Sequence, residues 1–337
     1  MIYPKFVNNN STLGITSLSS GARDKYKKNK YKNAKKTLEN LGYKLIISDN
    51  INKSIRGRCA DEKVRAEELN NMFKNNDIDL ILNASGGDFL IEILPYVNFE
   101  LLKSNPKYVC GFSDPTSILY TITTKYDIAT IYGQNYAQFG MRNLHKSQKY
   151  FLNIINGKDL NEKNFSLYEE ERKQKVDGLE EYNLTNKVKY KTLDNKDVCV
   201  RGRIIGGCFD IISELSSTKY DGIKEFQEKY KDDGIIWYFD NCELSYDETI
   251  RTLWKLNELE YFKYTKCIIF GRFGNTYSSY KYNTKTCLLD SVISKLNIPI
   301  IYDADFSHKS PCLTVINGSI ANIKLNNNKF NISFELK

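Results

Sequence analysis

The sequence predicts an α/β fold built on mainly parallel sheet, and three observations predict it. Short β-rich runs alternate with longer helical patterns, the mark of βαβ units. The apolar runs end in turn-rich Gly, Ser or Asp segments that lead into the next helix. The alternation lapses once, in a polar stretch over 146–200, and then resumes. At 337 residues the chain exceeds one typical domain, so two compact units are expected: 1–145 and 201–337, joined by a connection over 146–200.

In chain order, the first strand covers 13–16, followed by a helix over 23–41 that Gly42 stops, and a strand over 43–48. A second helix covers 60–75, with Val64, Leu69, Met72 and Phe73 as its apolar face. Strands follow at 79–83 and 108–111, and 129–132 closes the first half. The connection carries a short helix over 150–155 and irregular or β structure. The second half opens with a strand over 204–208 and a helix over 209–215. A strand at 234–239 precedes a helix over 247–259, with Ile250, Leu253, Trp254 and Leu256 on its buried side. A strand at 267–270, a helix at 286–296, a strand at 299–302 and two β segments at 319–325 and 330–336 complete the chain.

Composition narrows the function classes. An apolar fraction of 41% and 24 tyrosines allow a substantial core. The net charge of +8 is spread among Asp, Glu and Asn, without an Arg stripe interleaved with aromatics. A solvated lysine-rich surface is therefore expected, and no nucleic-acid partner. No signal peptide precedes the eight cysteines, and Cys110 and Cys267 fall in buried strands, which favours a reduced cytoplasmic protein. No Cys or His spacing suits zinc, and no apolar run is long enough to span a bilayer. Neither metal nor organic cofactor is expected.

Two segments carry candidate chemistry: Gly111-Phe112-Ser113-Asp114-Pro115-Thr116 and Phe306-Ser307-His308-Lys309-Ser310-Pro311. Ser113 lies where an apolar strand gives way to a helix near Pro115, a position that projects a hydroxyl at the carboxyl edge of a sheet. The same pattern also suits Ser113 or Asp114 as a plain N-cap. Gly86-Gly87 follows a buried strand, so its amides can approach a ligand closely; with Asp114, Gly87 is a candidate donor to an oxyanion. A phosphate loop is disfavoured because Lys-Ser/Thr does not follow. The chain has two histidines, His145 and His308, and His308 in its polar loop is the stronger candidate base for a serine. Asp240 ends an apolar strand and Glu243 follows it; either suits the carboxylate behind an imidazole, or simply caps the next helix.

These motifs, in this order, resemble the LD-carboxypeptidase family of serine peptidases. The resemblance runs from Gly86-Gly87-Asp88 through Leu94-Pro95-Tyr96, Asn105-Pro106-Lys107 and Gly111 to Thr116. It continues through Ile131-Tyr132-Gly133-Gln134-Asn135, Ile205-Gly206-Gly207-Cys208, Ile268-Ile269-Phe270-Gly271-Arg272 and His308-Lys309-Ser310-Pro311. It implies a flavodoxin-like N-terminal domain, a smaller α/β C-terminal domain and a homodimer. It also implies a triad with Ser113 as nucleophile and His308 as base, with the Gly87 and Asp114 amides as oxyanion hole. The substrate implied is a murein peptide with an L-to-D linkage or an aminoacyl-nucleotide antibiotic, and 146–200 is where the family varies the loop over its pocket.

Two departures stand out. The family usually has Glu where this chain has Asp240; counting back from Arg251 favours Asp240 as the acid, with Glu243 as the alternative. Many members have Asn where this chain has Cys208, which leaves substrate identity open. Gly86, Asp88, Cys208 and Arg272 are the expected substrate contacts, Arg272 as a cation for a terminal carboxylate. The contrasting expectation is a ligand-binding protein of the same fold that lost catalysis through the altered acid.

Overall fold

Strand β1 (Thr12–Thr16) is followed by helix α1 (Lys25–Asn40), whose N-cap Asp24 accepts the Lys27 N–H at 2.7 Å. The chain alternates onward through β2 (Lys44–Ile47), α2 (Glu62–Lys74), β3 (Leu80–Asn83), α3 (Phe99–Ser104), β4 (Tyr108–Gly111), α4 (Thr116–Tyr126), β5 (Thr130–Tyr132) and α5 (Lys146–Ile155). Strands β1 to β5 pair in parallel in the order β5-β4-β3-β1-β2, and Val315–Asn317 adds an antiparallel edge beside β5. Every residue of β3, β4 and β5 is buried, which is why these strands read as continuous apolar runs. The computed structural model describes all residues, 1–337.

After α5 come the short strands β6 (Asn161–Lys163), β7 (Leu167–Tyr168), β8 (Asn186–Lys187) and β9 (Lys191–Thr192), then the long β10 (Val198–Cys208) of the second sheet. Next come α6 (Phe209–Leu215), α7 (Ile223–Lys229), β11 (Ile235–Asp240), α8 (Tyr246–Glu258), β12 (Thr265–Gly271), α9 (Thr284–Asp290) and β13 (Ile300–Ala304). Strand β14 (Val315–Asn317) is the edge already placed in the first sheet, and β15 (Ile320–Asn326) and β16 (Lys329–Glu335) return to the second. The order is β6-β16-β15-β10-β11-β12-β13-β9, with β10 to β13 parallel and the flanks antiparallel; β7 and β8 form a separate pair. Strand β10 serves both patterns: Val198–Arg203 pairs antiparallel with β15, Arg203–Cys208 parallel with β11.

The fold is therefore α/β in two units. One comprises Met1–Leu160, Arg172–Tyr182 and Thr314–Asn317; the other comprises Asn161–Glu171, Asn183–Leu313 and Gly318–Lys337. The polar stretch 146–200 is thus divided between the units. No helix is long and apolar enough to cross a membrane.

Two helix faces differ from expectation. Val64 is exposed, and α2 instead buries Arg65 with Ala66, Leu69, Met72 and Phe73. Trp254 is also exposed, because α8 turns Tyr246, Thr249, Leu253 and Leu256 inward at helical spacing, and its neighbour Trp254 lies about 100° off that stripe. The helix expected over 286–296 ends at Asp290 and continues as a 3-10 turn, Val292–Lys295.

Candidate functional site

In the first unit, β4 ends at Gly111 and Pro115 opens α4, leaving three residues to reverse the chain. The turn is tight enough that a Cβ on Gly111 would lie 2.9 Å from Pro115 Cγ. Ser113 takes a left-handed backbone conformation, φ 75°, which costs a non-glycine residue on the order of 1–3 kcal/mol. Neighbouring groups hold it there. Buried Asn135 accepts the Phe112 N–H at 2.9 Å and donates to the Phe112 carbonyl at 3.1 Å, and the Ser113 N–H points to the Tyr132 hydroxyl at 3.3 Å. The Ser113 carbonyl accepts from Thr116 N–H at 2.9 Å, which starts the helix.

Gly86 and Gly87 pass beside this turn. A Cβ on Gly86 would come within 3.2 Å of Ser113 Oγ, and one on Gly87 would overlap Ser19 and lie 3.0 Å from the Ser20 nitrogen. Only glycine allows the chain so close. Neither the Gly87 nor the Asp114 N–H takes part in the backbone hydrogen bonding of turns and caps. The Asp114 side chain is buried and accepts the Leu90 N–H at 2.9 Å; burial pushes its carboxyl up to about 6. Asp88 is exposed.

In the second unit, buried β11 ends at Asp240, and the loop after β13 carries His308. Asp240 Oδ1 lies 2.8 Å from His308 Nδ1 and accepts the His308 N–H at 3.0 Å, so one oxygen sets both ring and backbone. The carboxylate is fully buried and the imidazole mostly so. Burial acts to lower the His308 pKa, but the charge and hydrogen bond of Asp240, with the Cys242 thiol adding to them, hold it well above the ordinary imidazole value. A carboxylate at Nδ1 favours the tautomer whose lone pair is on Nε2, the form that accepts a proton there.

The structure also places the remaining candidates. Glu243 is exposed, and its N–H is taken by Asp210 at 2.8 Å; the carboxylate at the imidazole is that of Asp240. Cys208 ends β10 directly opposite Asp240 in the strand register, with its Sγ 3.4 Å from Asp210 Oδ2. Arg272 is buried and engaged: Nη1 donates to Asp305 at 2.6 Å, and Nη2 donates to the Lys309 carbonyl at 2.9 Å. It ties the end of β12 to the segment that follows His308. His145 caps α5 by accepting the Ser147 N–H at 3.1 Å, and burial, with Lys146 and Lys149 beside it, pushes its pKa down to about 4.

Four supporting residues escaped the sequence reading. Asp210 accepts the N–H groups of Cys242, Glu243 and Leu244 at 2.8–2.9 Å, fixing the turn just after Asp240. Ser307 donates to the Arg272 carbonyl at 2.7 Å and accepts the Lys309 N–H at 3.0 Å, bracing His308 from both sides. Asp305 and Asn135 complete the set. Each acts across a gap of 20 residues or more, where local pattern carries no signal; Asn135 and Ser307 lie in the quoted motifs, but nothing there marks their distant partners.

Comparison with known proteins agrees with this architecture. The LD-carboxypeptidase N-terminal domain matches residues 13–133, and the LD-carboxypeptidase C-terminal domain matches residues 201–323. A Vibrio cholerae protein that carries the name carboxypeptidase is 24% identical over 98% of this chain and 98% of its own. The microcin C7 self-immunity protein MccF of Escherichia coli is 25% identical over 96% of this chain and 93% of its own. Among solved structures, MccF without ligand superposes with a TM-score of 0.84 at 23% identity, covering 99% of each chain. An MccF-like protein from Streptococcus pneumoniae, solved with AMP, gives 0.79 at 26% identity over 97% of this chain and 99% of that one. With both domains matched in order, the chain belongs to the LD-carboxypeptidase family.

Proposed function

We propose that this protein is a serine-type amidase or carboxypeptidase working through Ser113, His308 and Asp240. The observation that carries the reading is the Asp240–His308 pair: a buried carboxylate 2.8 Å from Nδ1, at the end of a core strand, orients an imidazole as a base. The strained turn at Ser113 supports it, since such strain gathers at functional sites. Glu243, exposed and held through its backbone, is set aside as the acid.

In the proposed reaction His308 Nε2 takes the Ser113 proton and Oγ attacks the amide carbonyl. The Gly87 and Asp114 N–H groups stabilise the negative oxygen, and His308 then protonates the departing amine. Water, deprotonated by the same imidazole, releases the acid from Ser113. These steps use protein groups alone. Structures of MccF with aspartyl sulfamoyl adenosine and with glutamyl sulfamoyl guanosine support a small acylated nucleotide as one substrate class; LD-linked murein peptides are the other. We place the enzyme in the cytoplasm, as a homodimer.

The test is labelling by a fluorophosphonate with mapping of the modified residue, alongside turnover of both substrate classes. Wild type labels at Ser113, labelling disappears in His308→Ala, and Ser113→Ala loses turnover by about 10³-fold or more. Binding of either ligand class by wild type without label or turnover would instead identify a non-catalytic binding protein of this fold.

A further inference from the structure

The second unit contains a basic cavity that the proposed reaction does not use. Over Lys187-Val188-Lys189-Tyr190-Lys191-Thr192 the chain alternates strictly, with Val188, Tyr190 and Thr192 buried. The three lysines therefore share the opposite face, as the two-residue repeat of extended chain requires. They line a cavity of about 190 Å³ together with Arg272, Lys309 and one carboxylate, Asp303. Lys191 pairs with Asp303 at 2.8 Å and Lys309 pairs with Glu170, whereas no acid pairs with Lys187 or Lys189. With Lys191, Lys309 and Arg272 each paired to an acid, Lys187 and Lys189 are the cavity's uncompensated charges, and they repel one another until an anion enters.

Arg272 supplies an independent sign. It is 5% exposed, lies over the Tyr168 ring with 4.5 Å to the centroid, and its Nη atoms are engaged as described, yet its buried Nε–H has no hydrogen-bond partner. Buried donors are rarely left unpaired, because each costs about 1–3 kcal/mol. The cavity is too small for a drug-sized molecule but suits a compact, multiply charged group. A neighbouring cavity of about 470 Å³ shares Lys191, Thr284 and Asp303 with it and adds Tyr246 and Tyr302. That second space offers room for whatever the anion is attached to.

We infer that this cavity is a phosphate-binding site, holding a free phosphate or the phosphate of a small phosphomonoester between Lys187, Lys189, Lys191, Lys309 and Arg272. Phosphate fits better than a carboxylate because its several oxygens can meet cations arriving from both the strand and the loop.

Titration calorimetry with inorganic phosphate, glycerol 3-phosphate and acetate, at matched ionic strength, tests the inference. Wild type is expected to bind phosphate saturably, with acetate at least about tenfold weaker. The exposed pair Lys187→Glu/Lys189→Glu should weaken phosphate by about tenfold or more with unchanged circular dichroism. Tighter binding of glycerol 3-phosphate assigns the site to an ester, and tighter binding of inorganic phosphate to the free ion. Absence of saturable phosphate binding, equal affinity for acetate, or equal binding by the double variant overturns it. Ser113→Ala should bind phosphate as wild type does, so this site stands or falls apart from the catalytic reading.

Discussion

Asp240 sets both the direction and the charge of His308. Because the carboxylate holds the imidazole pKa well above the ordinary value, a reaction needing neutral His308 should accelerate with rising pH, with its alkaline-going limb well above pH 6.5. Asp240→Asn is expected to move that limb down and lower kcat by about 10⁴, read from pH profiles of kcat/KM. The same pairing stabilises the fold while His308 is charged: that contribution is complete below the unfolded pKa and lost as pH rises through the folded one. Asp114 has the opposite consequence. Burial raises its carboxyl from 3.8 to about 6, so the folded state binds the proton more readily and stability falls as pH climbs between those values. Asp114→Asn, which can still accept the Leu90 N–H, should flatten that dependence and stabilise the protein at pH 7 by up to about 3 kcal/mol, measured by urea unfolding across pH 4 to 7.

At the scale of elements, two turns do the positioning. The β4–α4 turn stores strain at Ser113 that Asn135 and Tyr132 restrain through the backbone. The turn after β11 is held by one carboxylate, since Asp210 in the first turn of α6 accepts three consecutive N–H groups. Hydrogen bonds to a charged acceptor contribute about 1.5–3 kcal/mol each, and these three fail together if the acceptor is removed. Asp210→Ala is therefore expected to cost about 3 kcal/mol or more in urea unfolding. It should also lower kcat more than it raises KM, because Cys242, beside the imidazole, loses its anchor.

For the molecule as a whole, what matters is how closely the parallel strands of the second sheet approach. A Cβ on Gly206 would overlap the Tyr238 carbonyl on β11 and stand 2.7 Å from the Tyr238 ring. Gly206→Ala must push β10 from β11 and disturb the register that sets Cys208 opposite Asp240. A loss of about 3 kcal/mol or more, seen as a lowered Tm, together with a fall in kcat, is expected. The alternation of strands and helices was legible in the chain because fully buried parallel strands such as β3, β4 and β11 are short apolar runs bounded by polar turns. The inward faces of α2 and α8 were less so: Val64 and Trp254 are apolar enough to suggest burial, and only packing decided which stripe turned in. The chemistry divides in the same way. Local order alone determined that Ser113 follows a core strand and that a lone polar-loop imidazole, His308, was the base to consider. Which carboxylate meets it was a tertiary decision, because Asp240 lies 68 residues away and reaches the ring only through the parallel alignment of β11, β12 and β13. The engagement of Arg272 with Asp305 was decided there too, since ion pairing across 33 residues depends on which strand ends the sheet brings together.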